Sequence, residues 1–440
     1  MAIKATSNKS QAKERKDSVG ARRDLLALAM LGLMTRLAWV FWGAWSGGDV
    51  AEYVTLARNL AFNHVFSLSP DGAASIVPTA HRPPLYPALI ATLWWGDSVP
   101  ATAVMILQAI LGAGIVVLVY LIARDRFNRT VALIAGVGMA LGPMSGHSAA
   151  GLMTETLFTF LLTFGFFLWG RKRFAWTGFL FGLAMLARLT LTSFLVIMLL
   201  LPLLPAWRRH WRAHVMIFLV AVAVSSVWVI RNAIVFRRFI PVAASGYGTN
   251  LLFGTIETKL FGDDVWTMVL NDPATKVELK DGAFEGEADR ALWHRAIQRI
   301  KADPLHWLVV RAKQYPRFFM DSGDYLLGSS NVSINQAWRE RRWLVILTKA
   351  AFMLGNLLFF GLAAFGIFVE RKRFISLAHI TLFPVFLTLV HLPLWIETRY
   401  GLPMVPLAAI LSAVGLVRLI EFFRRDKRKT ATEGRVTVLQ

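Results

Sequence analysis

The sequence predicts an all-α polytopic membrane protein of about ten transmembrane helices, with an outer loop holding a juxtamembrane helix and a larger, mostly α outer loop. Three observations predict it. Hydrophobic residues make up 56% of the 440-residue chain and mean hydropathy is +0.52, above the usual composition of soluble domains. Apolar stretches near the length of about 20 residues that crosses a bilayer recur along it. Basic clusters sit at alternate ends of those stretches, all on one side of the implied membrane.

The elements follow in order. Residues 1–23 are polar, with no small-residue cleavage site before position 24, and read as a disordered basic cytoplasmic tail ahead of a retained first helix. Candidate spans are 24–45, 102–123, 130–147, 152–169, 174–190, 191–206, 213–235, 344–368, 374–394 and 402–421. They divide the chain into an N-terminal transmembrane module 24–235 that includes the outer loop 46–101, an extracytoplasmic loop 236–343, C-terminal helices 344–421, and a basic cytoplasmic tail 422–440. From Val50 to Asn63, polar Glu52, Thr55 and Asn59 alternate at helical spacing with apolar Val50, Val54, Ala57 and Ala61, which predicts a helix along the membrane surface. In the second loop, Glu287 to Lys301 and Pro304 to Phe319 read as two helices broken at Asp303-Pro304, and Ala243 to Gly254 as a turn region.

The 48 basic and 27 acidic residues give a net charge of +21. Their placement excludes nucleic acid as the partner. Basic clusters at the N-terminus, 124–129, 171–173, 208–212, 371–373 and 424–429 share one side, the positive-inside pattern, which puts both termini in the cytoplasm. Acidic residues such as Glu257, Asp263, Asp264, Asp272 and Glu278 go to the other side. There is no cysteine, hence no disulfide and no thiolate metal site.

The chemistry-bearing residues gather at the outer ends of the helices, beside a bilayer where charges are costly unless they have a use. Asp49 and Glu52 lie one helical turn apart after the first span, a candidate base and its neighbour, or alternatively a capping box for the surface helix. In His81-Arg82-Pro83-Pro84-Leu85-Tyr86-Pro87 the prolines fix an extended backbone that holds Arg82 in place; the guanidinium suits a lipid phosphate, or else snorkels to headgroups. Glu155 opens the fourth span, Arg231-Asn232 closes the seventh against the positive-inside trend, and Glu397-Thr398-Arg399-Tyr400 lies between the ninth and tenth. Carboxylates alone suffice for a hard divalent cation, with Asp49 and Glu155 as its candidate ligands. His147 and His391 are isolated and read as structural, and Arg36 as an arginine paired inside the bundle or facing a cavity. There is no Walker A loop, dinucleotide fingerprint or catalytic cysteine.

Asp49 with Glu52-Tyr53, Arg82-Pro83-Pro84-Leu85-Tyr86-Pro87, Thr154-Glu155-Thr156-Leu157-Phe158, Trp228-Val229-Ile230-Arg231-Asn232 with Phe239-Ile240-Pro241-Val242, and Glu397-Thr398-Arg399-Tyr400-Gly401-Leu402-Pro403 together resemble the bacterial GT-C glycosyltransferases. The nearest group is glycosyltransferase family 39, which includes protein O-mannosyltransferases and lipid A aminoarabinose transferases.

The resemblance implies a multi-pass enzyme of the bacterial inner membrane, its site facing the periplasm. It would transfer a sugar, with inversion, from a polyprenyl-phosphate donor to a hydroxyl of a glycan, glycolipid or protein acceptor. Asp49 would be the base, Arg82 and Arg399 would hold the donor phosphate with Arg231 assisting, and Glu52, Tyr53, Glu155, Asn232, Glu397 and Tyr400 would line the substrate site. The chain departs from the pattern in having Val50 where many members have a second acid, and Arg82 where some have lysine. Two other classes share the membrane body. A lipid-linked-sugar flippase or transporter should carry its charges near mid-membrane, whereas here they cluster at one face. A surface-polysaccharide ligase or polymerase would use a lipid-diphosphate oligosaccharide.

Overall fold

The computed structural model describes residues 2–43, 49–244, 246–257, 285–323, 326 and 332–437, with side chains described except at 2–18, 285 and 425–437. In chain order the helices are α1 (Ala2–Trp42), α2 (Val50–Asn63), α3 (Leu85–Thr92), α4 (Ala101–Arg126), α5 (Arg129–Leu141), α6 (Pro143–His147), α7 (Glu155–Gly170), α8 (Phe174–Met185), α9 (Thr190–Leu200), α10 (Trp211–Phe236), α11 (Tyr247–Phe253), α12 (Glu285–Ala302), α13 (Pro304–Gln314), α14 (Ile334–Arg339), α15 (Trp343–Val369), α16 (Ala378–Val390) and α17 (Val405–Thr437), with a 3₁₀ segment, Thr398–Met404, leading into α17. Among the described residues the β pairing is an isolated antiparallel bridge between Ser67 and Pro78.

Each of the ten apolar stretches read from the sequence holds a helix, but they are not ten full-length spans. Among the described residues, five helical stretches are long and apolar enough to cross a membrane: Val19–Trp42, Ala101–Arg126, Pro205–Phe236, Trp343–Val369 and Thr398–Arg424. A sixth forms if Arg129–Leu141 and Pro143–Ala150, bent by 55° at their junction, are one span. The remaining four, α7, α8, α9 and α16, have 16, 12, 11 and 13 residues. At 1.5 Å per residue these reach about 16 to 24 Å, short of a hydrocarbon core of about 30 Å. The four share a feature: residues at or beside one end of each, namely Glu155, Ala187 to Thr190, and Val390 with His391, line one cavity.

A contiguous apolar core joins α4, α5, α7, α8, α9, α16 and α17, where Phe181 meets Phe166 and Phe383 meets Phe194 edge to face, each pair at 5.2 Å. Glycines set a close helix contact. A Cβ at Gly366 would lie 2.1 Å from the Leu411 carbonyl and one at Gly415 2.2 Å from that of Leu362, so α15 and α17 meet backbone to backbone. Arg36 does pair inside the bundle, though with backbone: it donates to the carbonyls of Met139 and Ala140, both at 2.9 Å, at the end of α5. Those carbonyls are the acceptors that a helix C-terminus leaves unsatisfied, so Arg36 stabilises the bend.

The surface helix spans Val50–Asn63 as expected, but Asn59, placed on its polar strip, is buried and donates to the carbonyls of Ser67 and Ser69, both at 2.9 Å. The amide pins the returning loop, a contact that helical periodicity cannot anticipate. Helical backbone also runs through 2–23 and 422–437, expected as tails. The break at Asp303-Pro304 is present, with the Asp303 carboxylate capping α13 through the His306 N–H at 2.9 Å. The expected turn region contains α11, whose first N–H groups, at Gly248 and Thr249, bond to Asp289 of α12. Gly47, Gly48 and the acidic stretch 258–284 lie outside the described residues.

Candidate active site

A cavity of about 180 Å³ opens where the four short helices end, walled by α2, the 81–83 segment and α11. Asp49 stands at the N-cap position of α2 with helical φ and ψ, and its side chain makes no capping bond. The capping-box reading of Asp49 and Glu52 therefore fails. Instead Asp49 Oδ1 accepts from Arg82 Nη2 at 2.7 Å, and Oδ2 lies 3.0 Å from Arg399 Nη2.

The network continues on both sides. Arg82 Nε donates to Glu52 Oε2 at 2.5 Å, and His81 Nε2 is 3.5 Å from the same oxygen. Arg399 Nε donates to Glu397 Oε2 at 2.5 Å, and its Nη1 is 3.8 Å from Glu155 Oε1. Arg188 Nη1 sits 2.8 Å from that Glu155 oxygen and donates to Thr154 Oγ1 at 3.3 Å. Three guanidiniums and four carboxylates, drawn from five separate parts of the chain, thus form one ionic band. The rings of Tyr53 and Tyr400 lie against it, 5.7 Å from the Arg82 guanidinium and 5.6 Å from that of Arg399.

Local structure holds the arginines in place. Pro83 and Pro84 remove two backbone donors, and the next N–H, at Leu85, bonds the Leu186 carbonyl at 2.9 Å, tying Arg82 to the end of α8. Tyr86 donates to Gln108 at 3.1 Å, and Gln108 donates to the Gly151 carbonyl at 2.6 Å, locking α3 and the approach to α7 onto α4. Burial pushes the Asp49 carboxyl up, but Arg399 and Arg82 outweigh burial and hold it below its ordinary value. Burial likewise opposes the charge on Arg82, and Asp49 and Glu52 more than restore it. Asp49 is therefore an anion at neutral pH.

Of the residues singled out in the sequence, Asp49, Tyr53, Arg82, Glu155 and Tyr400 line the cavity; Glu52 and Arg399 pair directly with lining charges, and Glu397 pairs with Arg399. Arg231 and Asn232 are not brought there. Arg231 donates to the Thr79 carbonyl at 2.9 Å and to Asn232 Oδ1 at 3.0 Å, its guanidinium 4.7 Å from the Trp228 ring centroid. It braces the segment that carries Arg82. His391 lines the cavity, but its ring stacks on Phe318 at 5.1 Å, and Nδ1 lies 2.9 Å from the Leu387 carbonyl.

Sequence reasoning missed Arg188, although a lone arginine inside an apolar run was signal enough. It also missed Tyr247 and Asn250, which α11 turns into the cavity. Among the described residues no group of three or more histidine, aspartate or glutamate side chains is disposed to hold a metal. Asp49 and Glu155, the pair considered for a hard cation, both face Arg399, so the donor set does not fit one.

A second, apolar groove of about 370 Å³ lies between α5, α15 and α17, lined by residues such as Met139, Phe318, Phe352, Phe359 and Leu402. Thr398 and Gly401 face this groove and Tyr400 faces the ionic cavity, so the 3₁₀ segment that carries Arg399 is their shared wall.

Residues 81–232 match the dolichyl-phosphate-mannose-protein mannosyltransferase family, a stretch that takes in Arg82, Glu155, Arg188 and Arg231. No curated protein matches the chain by sequence. Among solved structures, the Archaeoglobus fulgidus oligosaccharyltransferase in complex with Zn and sulfate is 16% identical, with a TM-score of 0.52 over 91% of this chain and 49% of its own. The same enzyme tethered to an acceptor peptide is 13% identical, with a TM-score of 0.51 over 90% of this chain and 50% of its own. The chain spans about half the length of these structures. The family model covers about a third of the chain and the solved structures share its all-helical fold, in agreement with the resemblance read from the motifs.

Proposed function

We propose that the chain is an integral membrane glycosyltransferase that moves a sugar from a polyprenyl-phosphate donor to an acceptor hydroxyl on the outer face of a bacterial inner membrane. The observation that carries this reading is the position of Asp49 between Arg82 and Arg399, in a cavity whose wall is shared with an apolar groove. An ionised carboxylate, a pair of guanidiniums and an apolar channel are what a hydroxyl nucleophile, a phosphate and a lipid tail need. The match of 81–232 to a family named for a dolichyl-phosphate donor supports the same substrate class.

The reaction is a single displacement at the anomeric carbon. The acceptor oxygen forms its bond to that carbon as the bond to the phosphate oxygen breaks, the acceptor proton passes to Asp49, and the electron pair leaves with the lipid phosphate. Arg82 and Arg399 meet the charge that grows there. Phosphate leaves without protonation, which agrees with guanidiniums where a glycosidase would place an acid. Glu52 and Glu397 hold the two arginines in place, and Arg231 acts through the Thr79 backbone. The acceptor can be a glycan, a glycolipid or a protein.

Purified protein in lipid nanodiscs should release polyprenyl phosphate from a polyprenyl-monophosphate sugar when an envelope extract is added, and a nucleotide sugar should not substitute. Transport of the intact lipid sugar without release would overturn the reading in favour of a flippase. Orientation has its own test, since the native chain has no cysteine. A cysteine at exposed Ser75 should react with an impermeant thiol reagent outside intact cells, and one at exposed Lys372 should not.

A further inference from the structure

One buried group in the cavity has no part in the transfer as written. Glu155 opens α7, lines the cavity and is 1% exposed, yet its Oε2 receives no hydrogen bond. Arg188 at 2.8 Å and Arg399 at 3.8 Å both approach Oε1, which leaves Oε2 without a donor. An ionised carboxylate accepts up to about four hydrogen bonds, and buried polar atoms with none are exceptional. Three polar neighbours are already engaged within the protein. Thr154 accepts from Arg188, Asn250 donates to the Gly246 carbonyl, and Tyr247 donates to that of Leu189. The missing partners of Glu155 therefore belong to a ligand that brings donors. A phosphate brings none and would be repelled, whereas a sugar ring brings several.

We propose that Glu155 reads the donor sugar, accepting hydrogen bonds from its ring hydroxyls on the far side of Arg399 from Asp49, with Arg188 as the positioning residue that keeps the carboxylate in place. This rests on the transferase reading, which puts a sugar in this cavity. Arg399 then divides the site. Its Nη2 faces Asp49, where the acceptor proton is taken, and its Nη1 faces Glu155, where the sugar is recognised. The Arg188 guanidinium is held 5.9 Å from the ring centroids of both Phe158 and Tyr400, which fixes its approach to Glu155.

The test separates sugar from phosphate. Wild type, E155Q and E155D in nanodiscs are titrated with undecaprenyl phosphate and with the tightest binder from a panel of undecaprenyl-phosphate hexoses and pentoses, after thermal unfolding confirms that each variant is folded. E155Q should bind the sugar-bearing lipid about ten- to hundredfold more weakly, the loss of charge-assisted hydrogen bonds, and undecaprenyl phosphate as wild type does. E155D, too short by one methylene to reach the same hydroxyls, should show the same split and decides the matter if E155Q does not fold. Equal losses on both lipids would assign Glu155 to holding the arginines and overturn the proposal, as would no loss on either. Wild type that binds neither lipid would overturn the transferase reading itself.

Discussion

The two ends of the helical bundle use the same residue types to opposite ends. At the basic end, the Asp24 carboxylate accepts from Arg129 through both oxygens, at 2.7 and 2.8 Å, and from the Tyr120 hydroxyl at 2.8 Å. Nearby, Arg171 clamps Asp125 at 2.6 and 3.0 Å, and Arg373 bonds Glu370 at 2.9 Å. These pairs staple α1, α4, α5 and α7 together, or tie a turn to its own helix. At the other end, Asp49 and Glu155 share Arg399 beside open space, and Glu155 Oε2 lacks a donor. Charge within an apolar bundle is costly at both ends. Where its hydrogen bonds are complete it holds helices together, and around the cavity an acceptor is left open.

The sharpest way to break this contrast is Asp49→Asn. If Asp49 is the base, turnover should fall by about a hundred- to ten-thousandfold, measured as polyprenyl phosphate release by folded protein. Near-normal turnover would make the cavity end as structural as the basic end. Stability offers a second readout with a definite sign. The Asp49 carboxyl is held below its ordinary value, so its pairing stabilises the fold above the unfolded carboxylate range and is lost as pH falls through the lowered value. Any stability gap between wild type and Asp49→Asn in thermal unfolding should accordingly shrink on acidification.

Next in size is Arg82. Arg82→Ala should weaken binding of the lipid donor by about ten- to hundredfold, and Arg82→Lys by less, since lysine keeps the charge but not the forked geometry. Titration of both variants with undecaprenyl phosphate checks this, and equal affinities for all three proteins would remove the phosphate from the site. The smallest effect belongs to the basic end. Asp24→Asn should cost about 1–2 kcal/mol of stability, because Arg129 is largely exposed and the pair is partly screened. It should leave turnover per folded molecule unchanged; a large fall in turnover would show that the two ends are coupled.

Much of the fold was legible because it depends on local pattern. Apolar runs marked where each helix lies, and the helical spacing of Val50 to Asn63 and the Asp303-Pro304 break gave those helices and their separation directly. The span count was less legible, since periodicity does not report where a helix stops inside a bundle. α7, α8, α9 and α16 each have an end at a polar cavity, and that cavity exists only after packing. The same limit applied to the Asp49 side chain. Local sequence offered a capping box, and partners 33 and 350 positions away took the carboxylate instead, through Arg82 and Arg399.

By itself, then, the sequence determined the membrane class, the asymmetry of charge between the two faces, and which polar motifs stand at helix ends, because hydropathy and charge act residue by residue along the chain. Only the tertiary structure decided which of those motifs meet. It joined Arg188 to Glu155 and turned Arg231 away to brace the Thr79 backbone. It also set an apolar groove against the wall that carries Arg399. The physical reason is reach. A guanidinium pairs with a carboxylate over about 3 Å, and which distant charges come within that distance is set by the angles and lengths at which the helices pack.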